Sequence, residues 1–174
     1  DGLDFFIAEI SMLGTHRNLS IKPLGQPPVA LLARAGHPLL STRFDLESIF
    51  RYPLLVSHPI PPRLMNPILA IWKNISESER HPIPAVECAS VSIAKRLMLG
   101  SDMIGAMPLS SAVTELESGN LVPLNAEPWM HLNYGIVHLK EKPPNQHATA
   151  FLHILKRLEP KLSRQVERVS RRYL

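Results

Sequence analysis

The sequence predicts an α/β fold, and three observations carry that expectation. Short uncharged apolar runs alternate with segments whose apolar residues recur at helical spacing, so both the strand and the helix period are present. The stretch Glu87–Pro108, ECASVSIAKRLMLGSDMIGAMP, holds a strand end, a capped helix and a charge-free strand in succession. Helix patterns also separate most strand patterns, the order expected of α/β layers on a mostly parallel sheet.

The elements follow in chain order. In LDFFIAEI (3–10) both alternating sets, Leu3, Phe5, Ile7 and Phe6, Ala8, Ile10, are apolar, which predicts a strand covered on both faces and closed by Glu9. A polar turn through Gly14–Asn18 leads to an extended Leu19–Leu24, and Pro27 and Pro28 precede a buried strand at Val29–Ala33. Gly36, His37 and Pro38 force a turn. Asp45 is placed to cap a short helix ending at Phe50, and Pro53 opens the strand Leu54–Val56, which runs into the stiff loop SHPIPP (57–62).

From Arg63 to Ser78, Leu64, Ile68, Ile71, Trp72 and Ile75 mark one helix face, with Pro67 tolerable only near its start. Pro84–Ala89 reads as a strand. Ser90 then caps a helix whose buried stripe is Val91, Ala94, Leu97 and Met98, and Gly100 ends it. Met103–Met107 carries no charge, as expected of a strand buried on both faces, and stops at Pro108. Leu109, Ala112, Val113 and Leu116 form a helical face closed by Gly119. Leu121–Leu124 suits an edge strand, Trp129–Leu139 a longer strand and Asn145–Leu158 a helix, which Pro160 is expected to break or kink.

Bulk properties narrow the function classes. With 174 residues there is ample length for a core, in one domain or two lobes. Seventeen prolines against eight glycines point to stiff connections rather than floppy linkers. A single cysteine, Cys88, excludes an internal disulfide and multi-cysteine metal sites; it reads as a small hydrophobe in a reducing, cytoplasmic protein. No apolar run approaches the roughly 20 residues of a membrane span, and no leader pattern opens the chain. Starting at Asp1 and Gly2 just before a strand, the sequence reads as entered in mid-domain. Residues 161–174 carry five basic residues and one acidic, which accounts for the whole net charge of +4 and suits a solvated basic helix end.

Catalytic and metal signatures are missing from the spacing. His131 and His138 fall on opposite faces of a strand, and His147 and His153 do not share a helix face, so none of the eight histidines is expected to hold a metal. Ser57 and His58 are neighbours whose side chains diverge on an extended segment, and no G-x-S-x-G elbow, phosphate loop or dinucleotide fingerprint occurs. Neither a catalytic residue nor a cofactor is expected. The start of the Ser90 helix offers unpaired N–H groups and partial positive charge, which favours an anion there.

Four stretches in this order and spacing carry a family resemblance: GLDFFIAEI (2–10), Gly36-His37-Pro38-Leu39, Asp45-Leu46 through Tyr52-Pro53-Leu54, and Glu87–Pro108 followed by Leu121-Val122-Pro123-Leu124. Together they resemble the effector-binding domain of LysR-type transcriptional regulators. The resemblance implies a two-lobed fold like that of type 2 periplasmic binding proteins, with a small effector held between lobes joined by two crossovers. Crossings are expected near Tyr52 and Asn133, giving a first lobe of residues 1–51 and 133–174 and a second of 52–132. In the family, strand and helix pairs precede the GLDFFIAEI strand, and a winged helix-turn-helix precedes those. The first lobe is therefore expected to be incomplete, with DNA binding left to a domain of a longer parent. Where the family often has G-x-G, this chain has Gly100-Ser101-Asp102 with a residue extra, and Asp102 is a residue type that tolerates a left-handed backbone.

Carried over by position, the effector wall is Ala8 and Glu9, Ser57, His58 and Pro59, Ala89 and Ser90, and Met107 and Pro108, running on to Leu109. Plainer roles stand beside these: Glu9 closing a strand, Met107 in the core, His58 in a solvated loop, Ser90 as a bare cap. The implied partners are a small, plausibly anionic, metabolite and further copies of the same chain. A solute-binding receptor of the same fold is the alternative, and an enzyme on this scaffold would show turnover lost on changing Ser57 or His58.

Overall fold

Local sequence sets most element ends. The structure, a computed structural model, describes every residue except Asp1, Thr15, Ala126 and Leu174. Its strands are β1 (Phe6–Glu9), β2 (Leu19–Pro23), β3 (Val29–Arg34), β4 (Leu54–Val56), β5 (Val86–Glu87), β6 (Ile104–Pro108), β7 (Leu121–Asn125) and β8 (Tyr134–Leu139). Its α-helices are α1 (Leu46–Phe50), α2 (Pro62–Trp72), α3 (Val91–Leu99), α4 (Val113–Glu117) and α5 (Gln146–Tyr173). The Asp45 side chain accepts from Ser48 N–H at the start of α1, and Ser90 Oγ accepts from Ile93 N–H at the start of α3. Gly100 caps α3, and Gly119, at φ 73°, closes α4 in the left-handed region that favours glycine.

The strands form two sheets, ordered β1-β8-β2 and β5-β4-β6-β3-β7. Only β4 with β5 and β4 with β6 are parallel; the other four pairings are antiparallel, which corrects the expected mostly parallel sheet. The reason is topological: in the larger sheet both antiparallel pairings belong to β3, which arrives from the crossover rather than from a helix, while β6, α4 and β7 form a β-α-β unit on either side of it.

The larger sheet is buried on both faces. Along β3, Val29 and Leu31 point into one cluster with Phe50, Val56 and Ile68, while Ala30 and Leu32 point into another with Met98, Met107 and Leu116. This alternation pins the register, since a slip of one residue would exchange the two sets. It also relocates β3. The division expected at Tyr52 places residues 29–34 with the first sheet, yet they pair with β6 and β7. The chain crosses earlier, at Leu24–Pro28, where Leu24 N–H donates to Tyr134 O at 2.8 Å and Leu132 N–H to Pro27 O at 3.0 Å. The return passage leads through residues 129–133 into β8.

Helix α5 differs in the same sense. It runs unbroken through Pro160, and its far half leaves the first sheet: Phe151 lies 5.8 Å from Phe5, centroid to centroid, whereas Val169 is buried in the second core with Ala30 and Leu32. Burial at that end offsets the bond forfeited at the proline. The strand β1 is shorter than expected and not covered on both faces, with Phe6 37% and Ile7 42% exposed, because it is an edge of a three-stranded sheet. Helix α2 ends at Trp72 rather than Ser78, the expected helix after Pro108 splits into a 3-10 turn and α4, and Trp129–Asn133 is irregular ahead of β8.

Two sequence motifs meet across 65 residues of separation. The buried His37 ring accepts Leu39 N–H at Nδ1, so its Nε2 carries the proton and donates to Asp102 O at 3.2 Å. Tyr52 packs edge-on against the same ring at 4.6 Å. Asp102 keeps a negative φ; its carboxylate accepts from Arg34 Nη2 at 2.7 Å, and these contacts fix the turn without a left-handed residue.

Gly105, in β6, sits under α3, and a Cβ there would lie 2.3 Å from Met98 Sδ and 2.6 Å from its Cε. Gly105→Ala is expected to cost about 1–3 kcal/mol through overpacking, read as a lower urea midpoint. Met98→Ala is expected to erase that cost in the double variant, whereas additive losses would contradict this packing.

Candidate functional site

The loop SHPIPP leaves β4 at its C-terminal end, and its prolines hold it extended until Pro62 starts α2. It thereby brings Ser57, 5% exposed, beside the exposed His58. Ser57 Oγ and His58 Nδ1 are 3.0 Å apart and hydrogen-bonded, where the sequence pattern predicts divergence. Among the described residues no carboxylate bonds this pair, so it lacks the orienting third member of a nucleophile and base arrangement.

Behind the loop lies a cavity of about 50 Å³ with mostly apolar walls. The loop 57–61 forms one side, Leu64 and Ile68 of α2 the second, Ala106–Pro108 at the end of β6 the third, and Trp129, Met130 and Leu132 of the return crossover the fourth. Ser57, His58, Pro59, Met107 and Pro108 of the expected effector wall line it. Ala8, Glu9, Ala89 and Ser90 do not. Ala89 and Ser90 are exposed at the head of α3, where Ser90 caps the helix and its carbonyl accepts from Cys88 Sγ at 3.4 Å. Leu109, next to the wall, is fully buried in the second core.

Two walls escaped the sequence reading. Leu64 and Ile68 carry a core-helix stripe and nothing else. Trp129, Met130 and Leu132 read as strand, and only the preceding Pro128 signals the irregular path that turns them toward α2.

Glu9 and Ala8, at the end of β1, lie beside the crossover. Glu9 Oε2 accepts from Ser11 N–H at 2.9 Å and Ser11 Oγ at 2.6 Å, and Oε1 from Asn133 N–H at 2.9 Å and Arg63 Nη2 at 3.2 Å. Burial pushes this carboxyl up, but the bonds from Ser11, Asn133 and Arg63 outweigh it and hold Glu9 below its ordinary value of 4.5. Burial, and then the charge of Glu9, push the half-buried Tyr134 phenol up. Among the described residues no three histidine, cysteine or carboxylate side chains are grouped to hold a metal ion. No described helix is long and apolar enough to cross a membrane.

Comparison with known proteins fits this geometry. The family model of the LysR substrate binding domain matches residues 1–159. The chain is similar to the SDS degradation transcriptional activation protein of a Pseudomonas species, 28% identical over 143 residues, covering 79% of the chain and 44% of that protein. It is also similar to the HTH-type transcriptional regulator GalR of Pseudomonas putida, 27% identical over 121 residues, or 68% of the chain and 29% of the relative. The chain thus spans less than half the length of either curated relative. Among solved structures it resembles the regulatory domain of MetR, a LysR family regulator from N. meningitidis, with a TM-score of 0.65 at 19% identity over 88% of this chain and 70% of that one. At that identity the likeness is one of fold.

A depressed carboxyl stabilises the fold wherever it is charged, so the Glu9 contribution is complete above about pH 4.5 and is lost as pH falls through its lower folded value. Glu9→Gln is expected to lower the urea midpoint at neutral pH, with the gap to wild type narrowing as pH falls below about 4.5. A gap independent of pH would contradict this role.

Proposed function

The chain belongs to the LysR substrate-binding domain family, a family of transcriptional regulators, and from that premise we propose that it is the effector-sensing domain of a longer regulator. The cavity between the larger sheet, α2 and the return crossover carries this reading. It lies where both crossovers meet, so a molecule held there touches Met107 and Leu64 on one side and Trp129 and Leu132 on the return path to the other. Occupancy favours whichever arrangement of the sheets fits the molecule better, and that difference in affinity is the coupling.

Wall chemistry suggests the class of effector. An anion at the start of α3 is the expectation from sequence, but the cavity does not extend to Ser90. Its surface is chiefly aliphatic and aromatic, with polarity confined to Ser57 and His58. The effector is a small, mostly apolar molecule with one group that hydrogen-bonds at that end. The domain is read as working by binding rather than turnover, in keeping with its family of transcriptional regulators.

The parent works in the cytoplasm, reads DNA through a helix-turn-helix domain outside these residues, and assembles as a homo-oligomer. The relatives support this in being named as a transcriptional activation protein and an HTH-type transcriptional regulator. The proposed division is one lobe on the β1-β8-β2 sheet and one on the larger sheet, with α5 spanning both.

A thermal-shift panel of small apolar compounds bearing single polar groups, run on the full-length parent, tests the reading. A stabilising compound is expected to bind more weakly to Ser57→Ala, by about 0.5–1.5 kcal/mol, and to lose its effect in Ala106→Leu, which fills the cavity. A compound that alters transcription yet binds both variants as it binds wild type would overturn it.

A further inference from the structure

Arg63 stands in the first turn of α2 with its guanidinium turned away from the cavity and toward the crossover. All three of its nitrogens are engaged. Nη2 donates to Glu9 Oε1 at 3.2 Å and to His131 O, Nη1 to Trp129 O at 3.5 Å, and Nε to Ser11 Oγ at 3.4 Å. Glu9 in turn accepts Asn133 N–H at 2.9 Å. The partners come from three places: the end of β1, the turn after it and the return crossover. The Glu9 side chain is 11% exposed and that of Arg63 28%, so water screens this pair less than a surface pair.

The knot ties together the two cavity walls that would have to part. Pro61 and Leu64, flanking Arg63, line one side, and Trp129, Met130 and Leu132, interleaved with the carbonyls it binds, line the other. Size makes parting necessary. An enclosed apolar cavity of about 150 Å³ accepts a whole benzene ring; this one, at about 50 Å³ and open on one side, encloses less than that. A ring-sized guest must move the crossover away from α2, and that movement strains the bonds from Arg63 to the carbonyls of Trp129 and His131. Other bonds at the junction, such as Gln26 Nε2 to Asn133 Oδ1 at 2.9 Å, tie crossover to crossover and do not resist it.

We infer that Arg63, held by Glu9, is a latch that keeps the cleft narrow and must yield when it fills. This deepens the proposed function and rests on the cavity being the site that fills. Arg63 is a positioning residue here, touching the walls and not the guest.

Fluorobenzene binding to the full chain, followed by fluorine NMR, tests the latch with a guest larger than the resting cavity. Arg63→Met is expected to tighten binding about tenfold, within the usual range for coupled equilibria. Glu9→Gln, which keeps the shape and removes the charge, is expected to do so by a smaller factor, and Arg63→Lys to return affinity toward wild type. Equal affinity in wild type, Arg63→Met and Glu9→Gln would overturn the latch while leaving the cavity reading intact. Absence of binding to all four proteins would overturn both. If Arg63→Met does not fold, Glu9→Gln and Arg63→Lys decide the matter by the same criterion.

Discussion

The chain passes between its two sheets twice, and the two passages are bonded to each other. Val29 N–H donates to Met130 O at 2.8 Å, Leu132 N–H to Pro27 O at 3.0 Å, and Leu24 N–H to Tyr134 O at 2.8 Å. By this paired crossing the apolar β3 reaches the interior of the larger sheet while β2 and β8 remain in the smaller. The cavity exists because the return passage, before regularising as β8, carries Trp129, Met130 and Leu132 over the ends of β4 and β6.

Around that crossing the forces divide by place. The larger sheet is held by burial on both faces, with Leu31, Leu32, Leu55 and Ile104 fully enclosed. Polar groups in its periphery are paired in ways that fix turns: His37 with Asp102, Asp102 with Arg34, Asp45 with Ser48. At the crossing itself Glu9 and Arg63 pair, the carboxylate accepting from and the guanidinium donating to the main chain of the return passage. A buried pair of this kind contributes little net stability and more to which arrangement the chain adopts. The Lys95–Glu115 pair, at 2.7 Å, has a different place, bracing α3 against α4 away from the cavity.

Much of this was legible in the residues. Caps and stops at Asp45, Ser90, Gly100 and Gly119 stand where local chemistry puts them, because each depends on a few neighbouring atoms. Strand β3 declared its burial by five uncharged residues in a row, but which sheet it joins depends on partners some 75 residues on, and sequence spacing does not encode that. Hence the misplaced crossing at Tyr52. That tyrosine packs on His37 instead, within the larger unit. The same limit governs the site. Ser57, His58, Pro59, Met107 and Pro108, which line the cavity, are named from the family resemblance and not from any pattern of their own. Leu64, Ile68 and Met130 are indistinguishable from core until the fold brings them together, and Arg63 looks like any helix-surface arginine.

The central claim is that the space between α2, β6 and the return crossover is where this domain senses its effector. Methionine methyl NMR tests it directly, since Met130 lines that space from the return crossover while Met98 lies in the other core and Met12 is half exposed. On adding a compound that stabilises the parent regulator, the methyl signal of Met130 is expected to shift, with those of Met98 and Met12 unmoved. Shifts at Met98 or Met12 with Met130 unchanged would contradict the account and place the effector elsewhere.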